Sequence, residues 1–438
     1  MCNTDFSERG WKNLKQLIVL GNGFDLACGL KSNYSDFFLN RFQELFCDSN
    51  NQEFNNLNKM SNILNKKRNE IYVKLKGTDE YSAYVKDKLP ESDKFKAYSK
   101  EWSKNTTLNR WDIIFLFAQI CVGKDVKSYE WQDVETIILE VLSILFVPRS
   151  KIKSNVQYSD DIGIQFGHNS GRSLFREVVN KISFVGEGDK NEIATEMLTE
   201  LNKFEFVFGE FISKQFDQTV SEDSYIRKAI DLLKEISIHP QNTVTTEEME
   251  NDEIDVLSFN YSLDEVFKDM WDKFIGDYSL KTWTNIHGLS NNLPDPNFAS
   301  PIFGIDSHNI SDEDDLRIAF TKSYRVVEEN VNAIRSSAGY KNRNVITIYG
   351  HSLSKADYSY FEALFDENDL YHSRCKVEYY YKPGKTDVES FSERKGATTR
   401  LYKLLSDYGS TLDNSHGENL IYKMNLENRL SVIPGPKI

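Results

Sequence analysis

Five short apolar segments along the chain predict the strands of one sheet. Each is stopped by small or polar residues, which is typical of buried strands that enter turns. These segments are 16–20, 254–259, 281–286, 344–349 and 376–381. Apolar residues with helical spacing lie between them at 34–46, 311–335 and 357–364, and a last helix is predicted at 392–405. Strands that alternate with helices indicate an α/β fold with a parallel sheet and crossover connections.

The pattern changes between residues 48 and 253. Helical spacing dominates there, around 111–120, 134–146, 192–216 and 225–236. Convincing β-runs are missing, and an acidic linker closes the region. We therefore predict a Rossmann-like parallel sheet flanked by helices, with a large, mostly helical insertion. The predicted parts are a discontinuous nucleotide-binding core of 11–47 and 254–410, an insertion of 48–253 and a C-terminal tail of 411–438.

Composition and charge limit the classes of function. The chain has 438 residues, a net charge of −14 and 13% aromatic residues, and so many rings exclude a disordered chain. The acidic balance argues against nucleic acid as the main ligand and disfavours anionic membrane surfaces. A mean hydropathy of −0.52 and the lack of a long apolar run argue against a membrane span. Without a secretory pattern at the start, we expect a cytoplasmic protein.

Cysteine and histidine usage does not favour a metal site. The five cysteines are scattered and no two form a C-x-x-C, and the seven histidines are equally dispersed. This pattern predicts reduced thiols and no bound metal.

Polar and small residues follow four of the predicted strands. The carboxyl ends of parallel strands lie at one edge of the sheet, where α/β proteins bind ligands. Four such endings therefore predict a shared site. They are Gly21-Asn22-Gly23-Phe24-Asp25, Asn260-Tyr261, His287-Gly288 and Gly350-His351-Ser352.

Each ending also has a structural interpretation. The glycines of 21–23 would let backbone amides approach a phosphate, but Leu26 breaks the dinucleotide pattern G-x-G-x-x-G, so a purely structural turn is the alternative. His287 and Asn260 are equally open to structural roles at strand–loop junctions.

Two further motifs admit alternatives. Residues 350–354 come one residue short of the nucleophile elbow of serine hydrolases, with acids and histidines downstream at Asp366, Asp369, His372 and His416. No glycine motif for an oxyanion hole lies upstream, so a ligand-binding turn is favoured. Asp133 and Glu135, at the start of a predicted helix, serve either in capping or in a catalytic or metal site.

These motifs, taken in order, resemble the bacteriophage abortive-infection AbiH family. The resemblance is carried by residues 17–27 and 34–37, Trp131-x-Asp133-x-Glu135, and residues 258–261, 286–288, 303–305 and 348–353. Cys28 and Lys31 depart from the residues that the family often has, so we expect no essential role for them. The resemblance implies an antiphage effector.

The same positions are similar, more distantly, to sirtuin-like NAD-binding domains. That similarity implies phosphate binding at Gly21–Gly23, a nicotinamide ribose beside Asn260, chemistry at His287 and an adenosine half near Gly350–Ser352. Phe24, Asp25, Tyr261, Gly288 and His351 complete the expected ligand site. Because the zinc-binding cysteines of deacetylases are missing, NAD consumption is implied rather than deacylation.

The expected reaction is hydrolysis of the nicotinamide–ribose bond of NAD. His287 would act as general base, Asn260 would position water or ribose, and Asp25 would either fix a ribose hydroxyl or cap a helix. The alternatives are a non-enzymatic nucleotide-binding sensor, whose insertion recognises a phage or host protein trigger, and an effector that acts on another substrate such as nucleic acid. A homo-oligomer is left open.

Overall fold

The structure is a computed structural model of the chain. It describes residues 14–47, 57–89, 91–102, 108–122, 131–147, 169–183, 189–220, 224–237, 253–264, 267–268, 271, 279–290, 301–307, 310, 315–328, 339–412 and 417–436. No helix within these ranges has the length and apolar character to cross a membrane.

Strands and helices are named in chain order. The strands are β1 Lys15–Leu20, β2 Glu253–Ser258, β3 Ser279–Asn285, β4 Val345–Tyr349, β5 Lys376–Tyr381 and β6 Leu430–Pro434. The helices are α1 Gly23–Cys28, α2 Tyr34–Phe46, α3 Leu57–Leu75, α4 Glu80–Lys88, α5 Glu91–Trp102, α6 Arg110–Val122, α7 Trp131–Phe146, α8 Asn169–Ile182, α9 Lys190–Val220, α10 Ser224–Ile236, α11 Lys322–Glu328, α12 Tyr358–Glu367, α13 Asp387–Thr411 and α14 Leu420–Leu426. Short 3₁₀ turns lie at Leu316–Phe320, Lys355–Asp357 and Gly417–Asn419.

The six strands form one parallel sheet in the order β3-β2-β1-β4-β5-β6. The predicted α/β fold with a Rossmann-like sheet is therefore confirmed. Leu20 pairs with Ser258 of β2 and with Tyr349 of β4, and Ser258 pairs with Asn285 of β3. The four strands thus end level with one another. From β1 the chain adds β2 and β3 on one side, and it then crosses back to add β4, β5 and β6 on the other side of β1. The strand order therefore reverses between β1 and β4, which is where open α/β sheets bind their ligands.

Helices cover both faces of this sheet because β1 is apolar on both sides. Leu17 and Val19 pack into a core shared with α12, α13 and α14. The amide of Gln16 lies on the other face and donates to the carbonyl oxygen of Ile236 in α10 at 3.0 Å and to Thr347 Oγ1 at 2.8 Å. A fully buried polar side chain is thereby satisfied at its amide hydrogens.

The chain divides into two units at boundaries that differ from the predicted ones. The sheet unit contains residues 1–31, 212–299 and 326–438, and the helical unit contains residues 32–211 and 300–325. Thus α10, placed by the sequence analysis in the insertion, belongs to the sheet unit. Residues 411–438, taken there as a tail, supply α14 and the sixth strand.

The helical unit is built on aromatic packing between α2, α6 and α9. Most ring centroids lie 5.0 to 6.2 Å apart, in stacked, tilted and edge-on pairs. The rings are those of Tyr34, Phe37, Phe38, Phe42, Phe115, Phe204, Phe208 and Phe303. Among them, the guanidinium of Arg41 donates to both carboxylate oxygens of Asp112, at 3.0 and 2.8 Å. This bidentate geometry offsets the cost of burying both charges.

A second buried ion pair in the helical unit holds the loop around Phe303. Arg325 pairs with Glu205 and donates to the carbonyl oxygen of Phe303 at 2.7 Å. The Phe303 amide in turn donates to Glu205 Oε1 at 2.6 Å. Residues 303–305, one of the motifs in the sequence, therefore have a structural role in this unit.

Removing one member of this pair should destabilise the helical unit strongly. Arg325→Met leaves the Glu205 carboxylate buried without its cation, so we expect a loss of about 3–5 kcal/mol in the free energy of unfolding, measured by urea denaturation. The double variant Glu205→Gln/Arg325→Met should lose less, because no charge is stranded. Lys203→Met, which removes an exposed pair with Glu200, should cost below about 1 kcal/mol. Equal losses in the two Arg325 variants would contradict this account.

Candidate functional site

Two glycine turns meet backbone to backbone at the carboxyl edge of the sheet. The turn after β1 donates from the Gly21 amide to the Tyr349 carbonyl at 2.9 Å and from the Gly23 amide to the Gly350 carbonyl at 2.8 Å. The Phe24 amide donates to the Gly21 carbonyl at 2.9 Å. Three amide hydrogens of this turn are therefore engaged within the protein.

The closeness of the two turns explains their glycines. A Cβ at Gly21 would lie 2.5 Å from His351 Cα, and one at Gly23 would lie 2.6 Å from Gly350 Cα. At Gly350 a Cβ would lie 2.4 Å from the Phe24 amide nitrogen, and φ there is +68°. Hence contact between the turns already requires these glycines, independently of any ligand.

Asn260 ties the end of β2 to the first glycine turn. Its side-chain amide donates to the Gly21 carbonyl at 3.0 Å, and its own carbonyl accepts from the Asn285 side chain at 2.9 Å. The neighbouring Tyr261 is buried, and its carbonyl accepts from the Ser290 amide and hydroxyl at 2.9 and 2.7 Å. The ends of β1, β2 and β3 are thus linked through polar groups.

The two histidines of the predicted site both contact the ring of Phe259. The ring centroids are 5.3 Å apart for His287 and 4.5 Å for His351. His287 also lies 5.3 Å from the Tyr360 ring and is only 3% exposed. Gly288 follows it with φ at +87°, a left-handed conformation that glycine adopts without strain. The four strand endings predicted to share a site are therefore close neighbours, and two of them are joined through contacts with Phe259.

His351 is held by its own turn. Its Nδ1 accepts the Leu353 amide at 3.0 Å, so the proton of the neutral ring is on Nε2, which lies 3.4 Å from the carboxylate of Asp357. Tyr379 donates to the His351 carbonyl at 2.8 Å. These contacts fix the second glycine turn against the first.

The nucleophile-elbow alternative does not fit this turn. The left-handed backbone falls on Leu353, with φ at +54°, and not on the exposed Ser352. Of the downstream acids and histidines, Asp369 and His372 pair with each other on the surface, Asp366 accepts from Tyr408, and His416 lies outside the described residues.

Asp25 lies in a buried ring of hydrogen bonds that the sequence analysis did not foresee. Its carboxylate oxygens accept from Tyr225 Oη and from Ser262 Oγ, both at 2.7 Å, and those two hydroxyls are 3.1 Å apart. Burial raises the pKa of Asp25 from 3.8 to about 6, against the opposing effect of the hydrogen bonds from Ser262, Tyr225 and Asn260. A carboxyl group that titrates near neutral pH is a recurrent feature of functional sites.

The acidic residues Asp133 and Glu135, for which the sequence left capping or a catalytic or metal site open, lie in the helical unit. Half-buried Glu135 forms an ion pair with buried Lys322. The side chain of Asp133 lies outside the described part of the structure. Among the described residues, no group of three histidine, cysteine or acidic side chains has the arrangement of a metal site.

Comparison with protein families decides the relationship. The family model described as bacteriophage abortive infection AbiH matches residues 17–379. The chain belongs to the AbiH family. The matched region contains every residue of the candidate site, and this AbiH protein accordingly takes part in abortive infection by bacteriophage. Searches of curated proteins and of solved structures gave no match.

The contact between the glycine turns predicts opposite effects for two alanine substitutions. Gly350→Ala places a Cβ against the Phe24 amide in a left-handed conformation, so the protein should lose at least about 2 kcal/mol of stability. Gly396→Ala, in the middle of α13 with only the end of the Arg400 side chain nearby, should be neutral or stabilising by about 0.5–1 kcal/mol. Urea denaturation followed by circular dichroism measures both. A tolerated alanine at 350 would contradict the close contact.

The raised pKa of Asp25 predicts a specific dependence of stability on pH. Because the folded state holds the proton more tightly, protonation of Asp25 stabilises the fold fully below pH 3.8, and this contribution is lost as the pH rises through about 6. Relative to Asp25→Asn, the wild-type free energy of unfolding should therefore fall by roughly 1.4 kcal/mol between pH 5 and pH 8. Parallel pH profiles for the two proteins would show that Asp25 does not titrate in this range.

Proposed function

We propose that this AbiH protein binds NAD at the carboxyl edge of its sheet and, in phage defence, hydrolyses the nicotinamide–ribose bond. The observation that carries the proposal is the strand order, whose reversal falls between β1 and β4. Both turns at that reversal contain positions of the more distant sirtuin-like resemblance given above, Gly21–Gly23 and Gly350–Ser352. Their position is the one at which doubly wound sheets bind nucleotides.

The polar groups beside the reversal suit a ribose better than a phosphate. The amides of Gly21, Gly23 and Phe24 are engaged within the protein, which leaves them no hydrogen for a phosphate. Asn260, Ser262 and His287 instead offer amide, hydroxyl and imidazole groups on the adjoining ends of β2 and β3. NAD contains two riboses, so its sugar hydroxyls are the groups that this side of the site would recognise.

The proposed reaction assigns a role to two of these side chains. The oxygen of a water molecule bonds to C1′ of the ribose, the C1′–N bond breaks, and its electron pair stays on the nicotinamide nitrogen. His287 takes the proton that the water loses. Asn260, anchored to the Gly21 carbonyl, holds the water or the ribose in place.

A nucleotide-binding sensor without turnover is the second candidate. It is favoured by the burial of His287, which packs against Phe259 and Tyr360 and is only 3% exposed. A general base must reach its substrate, whereas a sensor needs only an accessible binding surface. In that case a phage or host protein would be the second partner.

Nicotinamide release from NAD by the purified full chain separates the two candidates. For hydrolysis, we expect His287→Ala to slow release by at least about 100-fold, since general base catalysis contributes that much. Asn260→Ala should also be inactive, with circular dichroism to show that loss of its bond to Gly21 leaves the fold intact. His372→Ala is the matched control, because His372 is exposed and pairs only with Asp369 among the described residues.

The same variants are then tested in cells challenged with phage. Hydrolysis would be supported if infected wild-type cells lose NAD and if His287→Ala abolishes both this loss and the protection against phage. If His287→Ala binds NAD and protects as well as wild type, the sensor is correct. Intact NAD both in vitro and in infected, protected cells would contradict the hydrolase proposal.

A further inference from the structure

The ring of Asp25, Tyr225 and Ser262 has one member that a ligand can reach. Asp25 is 2% exposed and Tyr225 is fully buried, whereas Ser262 is half-buried. Ser262 follows Asn260 by two residues, at the end of β2. A ligand at this edge of the sheet would therefore meet the Asp25 carboxylate only through the hydroxyl of Ser262.

The number of hydroxyl hydrogens in the ring determines whether Ser262 can donate a hydrogen bond to a ligand or only accept one. Tyr225 and Ser262 each have one hydroxyl hydrogen, and an ionised Asp25 accepts both. Ser262 Oγ then has lone pairs but no hydrogen to give, so it can only accept. Its natural partner is a hydrogen-bond donor on the ligand. When Asp25 is protonated, the carboxyl group itself donates to the ring, and the fixed direction of these bonds is lost.

We propose that Asp25, Tyr225 and Ser262 form a subsite for a sugar hydroxyl, which donates its hydrogen bond to Ser262 Oγ. This inference rests on the proposed function in taking that hydroxyl from the ribose next to the nicotinamide, because Asn260, on the same segment, is the residue assigned to that ribose. Ser262 contacts the ligand. Asp25 and Tyr225 are positioning residues that fix the direction of the Ser262 hydrogen.

Asp25 differs in its partners from the buried carboxylates that stabilise the fold. Three of those, Asp112, Glu205 and Asp255, each have an arginine partner: Arg41, Arg325 and Arg343. Asp25 receives hydrogen bonds from neutral groups, namely Ser262, Tyr225 and Asn260.

Of the groups that act on Asp25 within the described residues, Cys28 and Tyr225 keep their protons near pH 6, so the charge of the ring itself changes with Asp25. On α1, Cys28 faces Asp25, and burial together with Asp25 raises the pKa of its thiol, so it stays protonated. On α10, burial raises the pKa of Tyr225 well above its usual value, and Lys228 interacts with Cys28. The subsite should therefore weaken as the pH falls through the range in which Asp25 gains its proton.

Binding of ADP-ribose to the purified full chain, measured by calorimetry, tests the subsite without turnover. ADP, which lacks the second ribose, is the control ligand. At pH 7.5, Ser262→Ala should weaken ADP-ribose binding about tenfold and leave ADP binding unchanged. Ser290→Ala, which removes a hydroxyl bonded to the Tyr261 carbonyl, is the matched control and should bind like wild type.

The pH dependence distinguishes positioning from a merely structural role. Wild-type affinity for ADP-ribose should fall about fourfold from pH 7.5 to 5.5, as Asp25 becomes protonated. Asp25→Asn should bind weakly with no such dependence. Tyr225→Phe removes a hydrogen bond that lowers the pKa of Asp25, so the midpoint should move to higher pH.

Two failures are distinguishable. If wild type binds neither ADP-ribose nor ADP, the proposed nucleotide site is wrong and the subsite with it. If wild type binds ADP-ribose but Ser262→Ala and Asp25→Asn bind it equally well at both pH values, the subsite alone is overturned.

Discussion

The contact between two glycine turns is the constraint on which the rest of the site depends. Backbone atoms of Gly21 and Gly23 lie so close to those of Gly350 and His351 that no side chain fits between them. This contact fixes the ends of β1 and β4 at the point where the strand order reverses. Asn260 and Asn285 extend the connection to β2 and β3 through amide–carbonyl bonds. Side chains on four strand ends therefore have defined positions before any ligand binds.

The same contact changes the chemistry expected of a glycine-rich turn. In dinucleotide-binding domains such a turn offers free amides and the positive end of a long helix to a phosphate. Here the Gly21, Gly23 and Phe24 amides have carbonyl partners, and α1 has only six residues before Gly29 ends it in a left-handed conformation. A helix of this length has little macrodipole. These three amides and so short a helix therefore offer little to a phosphate.

Local sequence signals predicted the sheet well because they depend on short segments. The apolar runs of β1 to β5 stop at turn residues, and their register along the edge follows from parallel pairing. Strand β6 was missed because Leu430–Pro434 is an edge strand that ends in proline and lacks the fully buried apolar run of β4. The ring around Asp25 was missed for a related reason. Tyr225 lies 200 residues from Asp25 in sequence, and nothing local indicates the contact.

The hydrogen bonds at each strand end indicate which polar side chains hold the turns and which could still contact a ligand. On the β4 side, the contacts of His351 with Leu353, Asp357 and Tyr379 all hold the turn in place. On the β2 and β3 side, Ser262 is half-buried and joined to a carboxyl group that titrates near neutral pH. A neutral amide in place of Asp25 would avoid the cost of burying a charge without an arginine. The glycine motif of the sequence thus has a structural role. The candidate functional side chains lie beside it, on the strand ends that the motif aligns.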